Sequence, residues 1–197
     1  IAMILDGLDG RVARLTRTQS ALGAEYDSLS DMVSFGVAPA LVMFEWAMKG
    51  MGKWGWIAAF IDCFGAALRL ARFNTNIEVI DKRFFQGLPS PAAAALIAGF
   101  VWVLMDLNYT GEEVRWYAWA LTIFAGVTMV SNFRYYSGKD INLRRSVPFI
   151  AVLAIVLFFV LVSSYPPGIL FALFLCYAFS GYVMAVLDWV RRRKTPA

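Results

Sequence analysis

Histidine is absent from this 197-residue chain, so no imidazole can act as acid, base or metal ligand. Cysteine is nearly absent: Cys63 and Cys176 each sit inside an apolar run, without metal-ligand spacing. Two buried, inert thiols are expected, rather than a disulfide or a site. Charge is scarce as well. Only 16% of the residues are charged while 60% are hydrophobic, against about 25% charged and 45–50% apolar in an ordinary soluble domain. So few polar residues cannot cover a water-facing surface, which sets aside a large soluble helical core. Low-complexity tracts and internal repeats are missing. Residues 1–5 are apolar, but too short and without a basic region or cleavage site, so they are not expected to be a signal peptide. They read as the end of a helix whose start is missing, and the chain is expected to be an N-terminally truncated fragment. Catalysis, if any, is left to carboxylates, lysines, arginines, tyrosines and hydroxyls.

What the chain has in abundance is apolar runs. Residues 147–165 and 168–187 each approach the roughly 20 residues that cross a bilayer core. Residues 54–68, 91–105 and 116–130 are shorter or carry one charge, and residues 32–48 form a sixth run interrupted by Pro39 and Glu45. Backbone groups in lipid must be satisfied internally, and the period-two alternation of a barrel is missing, so the runs are helices. The expected fold is all-α: one polytopic transmembrane helix bundle over residues 1–197, with six full spans plus an N-terminal partial helix. Residues 49–53, 107–115 and 163–167 are expected as turns on one side, and residues 73–90 and 132–145 as longer loops on the other. Trp54, Trp56, Trp116 and Trp119 fall near span ends, as interfacial residues do. If the chain changes sides at each span, fifteen of the 18 basic residues share the side of residues 1–31, leaving only Lys49, Lys53 and Arg115 opposite. The basic side is the cytoplasm, and it would favour anionic lipid headgroups.

Candidate chemistry concentrates in the first 31 residues. Asp6 and Asp9 are three apart, and Asp27 and Asp31 are four apart, so on helices each pair shares a face. Gly10, a polar turn at residues 16–20 and Gly23 lie between them. Two antiparallel helices meeting at the membrane boundary would bring the four carboxylates together. Such a cluster repels itself and needs a cation. Divalent Mg²⁺ or Mn²⁺, which prefer hard oxygen ligands, would fill that need, and two ions could clamp a pyrophosphate. The spacing alone is equally met by solvated helix-end carboxylates paired with Arg11, Arg14 and Arg17.

The full stretch reads Asp6-x-x-Asp9-Gly10-x-x-Ala13-Arg14, eight residues, then Gly23-x-x-x-Asp27-x-x-x-Asp31. Every fixed position resembles the signature of the CDP-alcohol phosphotransferase family. The resemblance implies transfer of a substituted phosphate from a CDP-linked donor to an alcohol, with release of CMP. It implies that Asp6, Asp9 and Asp27 are metal ligands, and that Asp31 is a metal neighbour and the general base. Gly10, Ala13 and Gly23 would give the close helix approach that admits the cytidine nucleotide, and Arg14 would pair with a carboxylate or a donor phosphate. Members carry a further full helix, and the start of the next, before the signature.

Three more stretches resemble the phosphatidylserine synthase branch of that family: Asp31-Met32-Val33-Ser34-Phe35-Gly36-Val37-Ala38-Pro39, Leu68-Arg69-Leu70-Ala71-Arg72-Phe73-Asn74 and Phe85-Gln86-Gly87-Leu88-Pro89-Ser90-Pro91. The phosphatidylglycerophosphate branch typically has Asp-Lys where this chain has Asp31-Met32. The likeness covers most of residues 3 to 95. It implies CDP-diacylglycerol and L-serine as substrates in a lipid bilayer, with no nucleic acid, and it allows a homodimer. The active site would face the cytoplasm, in a bacterial inner membrane. Serine is a zwitterion, so Arg69 or Arg72 could hold its carboxylate and Asn74 its ammonium. Positive-inside anchoring explains either arginine equally well. Arg134 and Arg144–Arg145 are candidates for a donor phosphate, with anchoring again the alternative. Asp62 lies about two turns inside a span, which marks an acid as functional by default, but no motif supports it and a buried hydrogen bond is expected. Other acceptors, glycerol phosphate or an inositol compound, stay open. So does a cation transporter, although transport sites tend to lie at the bilayer midplane and this cluster does not.

Overall fold

The computed structural model describes residues 20–75, 84–136 and 149–194. The first helix, α1 (Ala21–Met32), is capped by Ser20, whose hydroxyl accepts from the Gly23 N–H at 3.0 Å. It runs on through a wide π turn, Val33–Val37, into α2 (Ala38–Met43), then through a second π turn, Phe44–Met48, and a 3₁₀ turn, Lys49–Met51. Pro39 near the start of α2 supplies the cause of the first wide turn. Its ring clashes with the carbonyl one turn back and it has no N–H, so the backbone widens to let it pass. Residues 21–51 therefore form one rod. Gly52, at φ 55°, turns the chain sharply into α3 (Lys53–Thr75). There follow β1 (Phe84–Gln86), α4 (Ser90–Asp106), α5 (Arg115–Val130), β2 (Arg134–Tyr136), α6 (Phe149–Ser164) and α7 (Pro166–Lys194).

Small residues hold the bundle together, as expected where lipid removes the hydrophobic drive between helices. α3 runs parallel to α5. At one end Trp119 Nε1 donates to the Trp54 carbonyl at 3.0 Å, and at the other Arg72 Nη1 donates to the Val130 carbonyl at 3.1 Å. Between them Gly65 and Gly126 touch backbone to backbone: a Cβ on Gly65 would overlap the Gly126 carbonyl, and one on Gly126 would lie 2.8 Å from Asp62 Cα. On its other side α3 meets the rod, where Ala66 packs against Gly36. α4 closes the bundle against α7, with the Phe100 and Phe171 rings 5.8 Å apart. Met43, Met48, Leu96, Ile97 and Met129 fill the centre and are fully buried.

The outside is apolar too. Leu22, Trp54 and Phe60 point outward, and along α6 so do Ile150 at 75% and Phe159 at 65% exposure. A soluble monomer rarely shows a continuous apolar surface of this kind. With the long apolar helices, it makes the chain a membrane protein. Three helices are long and apolar enough to cross: Glu25–Met51, Lys53–Thr75 and Pro166–Val190. Ser90–Asp106 and Val152–Ser164 are apolar but shorter. At about 1.5 Å per residue a 17-residue helix spans about 25 Å, against about 30 Å of hydrocarbon. The expected all-α architecture holds, with helix at each of the six apolar runs.

Two differences from the sequence reading stand out. The expected loops at residues 73–90 and 132–145 pair through a short antiparallel ladder, Phe84↔Tyr136, Phe85↔Tyr135 and Gln86↔Arg134. Aromatic residues favour such pairing, but three-residue strands are too short to register as a period. Tyr135 is fully buried and pins the ladder to α7, its hydroxyl donating to the Ala178 carbonyl at 2.8 Å. The cysteines also differ. Cys63 is half-buried and Cys176 exposed on an apolar helix, so neither is the buried thiol expected, though both are free.

Candidate active site

The site builds up where α1 meets the C-terminal end of α3. On α1, Asp27 is exposed and Asp31, one turn on, is half-buried. Asp31 interacts electrostatically with Asp27 and, across the interface, with Arg69 of α3. Ser28, next to Asp27, accepts from Asn74 Nδ2 at 3.1 Å, which ties the end of α3 to the acidic helix. The oxygen of the Asn74 amide is not consumed by that bond. Gly23 lies in the first turn of α1, where its N–H is spent on the Ser20 cap.

Arg69 and Arg72 are one turn apart on α3, yet they face different tasks. Arg69 is half-buried, and its Nη1 donates to Ser90 Oγ of α4 at 2.8 Å. Its Nε is buried without a partner among the described residues. Tyr177 of α7 interacts electrostatically with the same guanidinium and hangs from the loop ladder through its hydroxyl, which donates to the Tyr136 carbonyl at 3.2 Å. A buried donor left unpaired costs about 1–3 kcal/mol, so a further acceptor at this Nε would be stabilising. Arg72 instead caps α5. Its Nη1 reaches the Val130 carbonyl and Asn132 Oδ1, both at 3.1 Å, and the Ser131 carbonyl at 3.5 Å. The two carbonyls are of the kind that a helix C-terminus leaves unsatisfied.

Arg134 lies on β2 opposite Gln86 and is exposed. Asp6, Asp9, Gly10, Ala13 and Arg14, with Arg144 and Arg145, lie outside the described residues. Among the described residues no three potential ligands gather into a metal cluster. Nor does any described Lys or Arg reach ion-pair distance of Asp27 or Asp31; the ion pair formed is Lys49–Glu45 at 2.7 Å, far along the rod. Asp62 is fully buried on α3, two turns from Arg69, and neither carboxyl oxygen has a partner among the described residues. The expected buried hydrogen bond is not formed among the described residues. At the opposite end, Trp54, Trp116 and Trp119 cluster edge to face at 6.3–6.5 Å.

Sequence reasoning missed Ser90 and Tyr177. Ser90 stands between two prolines and reads as a loop stop, and Tyr177 is one aromatic in a long apolar run. A hydroxyl directly before Pro91, at the start of a helix on the basic side, is the signal that was available for Ser90.

Residues 1–130 match the sequence profile of the family described as CDP-alcohol phosphatidyltransferase. A CDP-diacylglycerol–serine O-phosphatidyltransferase of Helicobacter pylori (strain ATCC 700392 / 26695) is 41% identical over 144 residues, which cover 72% of this chain and 60% of that protein. A protein of the same name from Methanocaldococcus jannaschii is 40% identical over 135 residues, covering 68% of this chain and 60% of its own. One from Saccharomyces cerevisiae is 41% identical over 109 residues, covering 52% and 39%. The chain thus spans about 60% of the length of the bacterial and archaeal relatives.

Proposed function

The chain belongs to the CDP-alcohol phosphatidyltransferase family, and on that premise we propose that it carries the site for transfer of a phosphatidyl group from CDP-diacylglycerol to L-serine. The observation that carries the acceptor is Arg69, a half-buried guanidinium beside Asp31 whose Nε has no partner among the described residues. A serine carboxylate would fill that position, and the Asn74 amide oxygen would receive the ammonium. The relatives' names supply the substrate pair, and the Ser-Phe-Gly-x-Ala-Pro stretch after Asp31 supports the same branch.

In the reaction, the serine hydroxyl oxygen bonds to the diacylglycerol-bearing phosphorus. The phosphorus–oxygen bond to CMP breaks, and CMP leaves with the electron pair. Asp31 takes the hydroxyl proton; its place on α1, facing Arg69, lets it reach an alcohol whose carboxylate that arginine holds. Asp6, Asp9, Asp27 and Asp31 would hold two divalent ions, Mg²⁺ or Mn²⁺. Hard carboxylate oxygens, with no described basic side chain pairing Asp27 or Asp31, fit that role. When bound, the ions supply positive charge to the pyrophosphate and to the leaving group. Gly10, Ala13 and Gly23 make room for the nucleotide, and Arg14 and Arg134 take donor phosphate oxygens. Positioning and charge supply most of the rate.

The bundle is a single domain whose six helical rods all cross the bilayer, with the shorter ones extended by their flanking loops. The acidic end faces the cytoplasm of a bacterial inner membrane. In support, Arg69, Arg72 and Arg134 gather at that end, and the tryptophan cluster at the other. The test is incorporation of radiolabelled serine into lipid by membranes carrying the full-length protein. Label should enter phosphatidylserine only with CDP-diacylglycerol, cease with excess EDTA and return with Mg²⁺ or Mn²⁺. Incorporation of glycerol phosphate or inositol in place of serine would overturn the acceptor, and full activity in EDTA would overturn the metal role.

A further inference from the structure

We propose that Ser90 is a positioning residue for the acceptor, acting through Arg69. This rests on the reading that Arg69 holds the serine carboxylate. A guanidinium is planar, with its donors in a fixed fork, so anchoring one nitrogen sets the direction of the others. Ser90 Oγ accepts from Nη1 at 2.8 Å. Nη1 lies on the Cδ side of the group, so this bond leaves the opposite edge, made of Nε and Nη2, for a ligand. That is an edge on which a carboxylate binds with two parallel hydrogen bonds. The buried Nε, which has no partner among the described residues, belongs to it.

The hydroxyl itself is held with little freedom. Ser90 is 2% exposed and sits between Pro89 and Pro91. The two residues before that pair are bonded to the far loop and to α5: the Gly87 N–H donates to the Phe133 carbonyl at 2.9 Å and the Leu88 N–H to the Thr128 carbonyl at 3.1 Å. Gly87 is needed there, because its φ is 76° and a Cβ would overlap the Met129 carbonyl. A serine at the start of a helix commonly serves as its cap, but α4 takes no side-chain cap, so the Ser90 hydroxyl is not used that way. The loop ladder and the tight Gly87 turn therefore deliver one oxygen to one nitrogen of Arg69.

The experiment is steady-state kinetics of the full-length protein in detergent for Ser90→Ala, Ser90→Thr, Arg69→Ala and the double variant Arg69→Ala/Ser90→Ala, with thermal melts of each. Arg69→Ala should raise the KM for serine by about 10- to 150-fold, as loss of a charge-assisted hydrogen bond does. Ser90→Ala should raise it by about 3- to 10-fold, with the KM for CDP-diacylglycerol and the melting temperature little changed. Ser90→Thr, which keeps the hydroxyl, should recover most of that loss. In the Arg69→Ala background, Ser90→Ala should add nothing. If Ser90→Ala does not fold, Ser90→Cys replaces it, as a near-isostere with a weaker acceptor. An unchanged serine KM in Ser90→Ala, beside a raised one in Arg69→Ala, overturns the role of Ser90 alone. So does an equal rise in both KM values, which marks a structural effect. An unchanged serine KM in Arg69→Ala overturns the reading of Arg69 and this inference with it.

Discussion

Arg72→Ala should cost stability and leave acceptor recognition alone. Arg72 stands one turn beyond Arg69, within the same Arg-x-x-Arg stretch, and the sequence gives both the same claim on the serine carboxylate. The structure assigns Arg72 Nη1 to the end of α5, through two bonds of 3.1 Å to the Val130 carbonyl and Asn132 Oδ1. The third, 3.5 Å to the Ser131 carbonyl, is at the limit of a hydrogen bond and adds little. A hydrogen bond to a charged group contributes about 1.5–3 kcal/mol, and a cation at a helix C-terminus about 0.3–1 kcal/mol. The group is half-exposed, so solvent replaces part of this when it is removed, and about 2 kcal/mol remains. For a chain of 150–250 residues that corresponds to a melting temperature lowered by about 4–8 °C. The assay is thermal unfolding in detergent, run beside serine and CDP-diacylglycerol kinetics. Serine KM should stay within about twofold of wild type, while Arg72→Lys, which keeps the charge but loses the fork, should recover part of the stability. A serine KM raised about tenfold at an unchanged melting temperature would refute the assignment and return Arg72 to the acceptor site.

Asp31→Asn should lower kcat by at least the roughly 10²-fold of a lost general base while CDP-diacylglycerol still binds; near-normal turnover would pass the proton to a bound water or the substrate phosphate. Asp6→Ala and Asp9→Ala should instead weaken donor binding together with turnover, measured as donor affinity in detergent, and intact donor binding in both would remove them from the metal site. Asp62→Leu should leave serine kinetics unchanged and keep or raise the melting temperature. Both Asp62 oxygens lack partners among the described residues, and exchanging a buried ionisable group for a packed apolar one is often neutral or stabilising by about 1–4 kcal/mol. A steep fall in the melting temperature would show that Asp62 has a partner outside them.

The helices were legible because their signal is long. Each of the six apolar runs carries 15 or more residues, and a helix in lipid has no competitor for its backbone groups. What the runs did not carry is how each helix is built. Pro39 could be read as an interruption, but not as the cause of a π turn that keeps residues 21–51 in one rod. The Gly65–Gly126 contact was equally hidden, since it joins helices separated by two loops and a third helix. The Phe84–Gln86 and Arg134–Tyr136 strands were missed for the opposite reason: they are too short for a period, and they pair only because α4 and α5 bring their flanks together.

The site divides along the same line. Asp27 and Asp31 could be proposed together because their spacing of four puts them on one helix face, whereas Arg69 and Asn74 were proposed from the likeness of the Arg69–Asn74 stretch and from the charges of a serine zwitterion. Deciding between Arg69 and Arg72 needed the partner helices, because the two residues differ only in what lies across from them: a pinned serine hydroxyl in one case, and the open carbonyls of α5 in the other. Those partners come from residues 90 and 130–132, loop ends that carry no periodic signal. An arginine that spends its donors on a helix end is fixed by the fold. Arg69 keeps a buried Nε–H that no described residue accepts, and on the proposed reading a serine carboxylate completes it. On that reading Arg69 is the acceptor residue and Arg72 the brace behind it, and the paired alanine variants read the two roles separately, one as a serine KM and the other as a melting temperature.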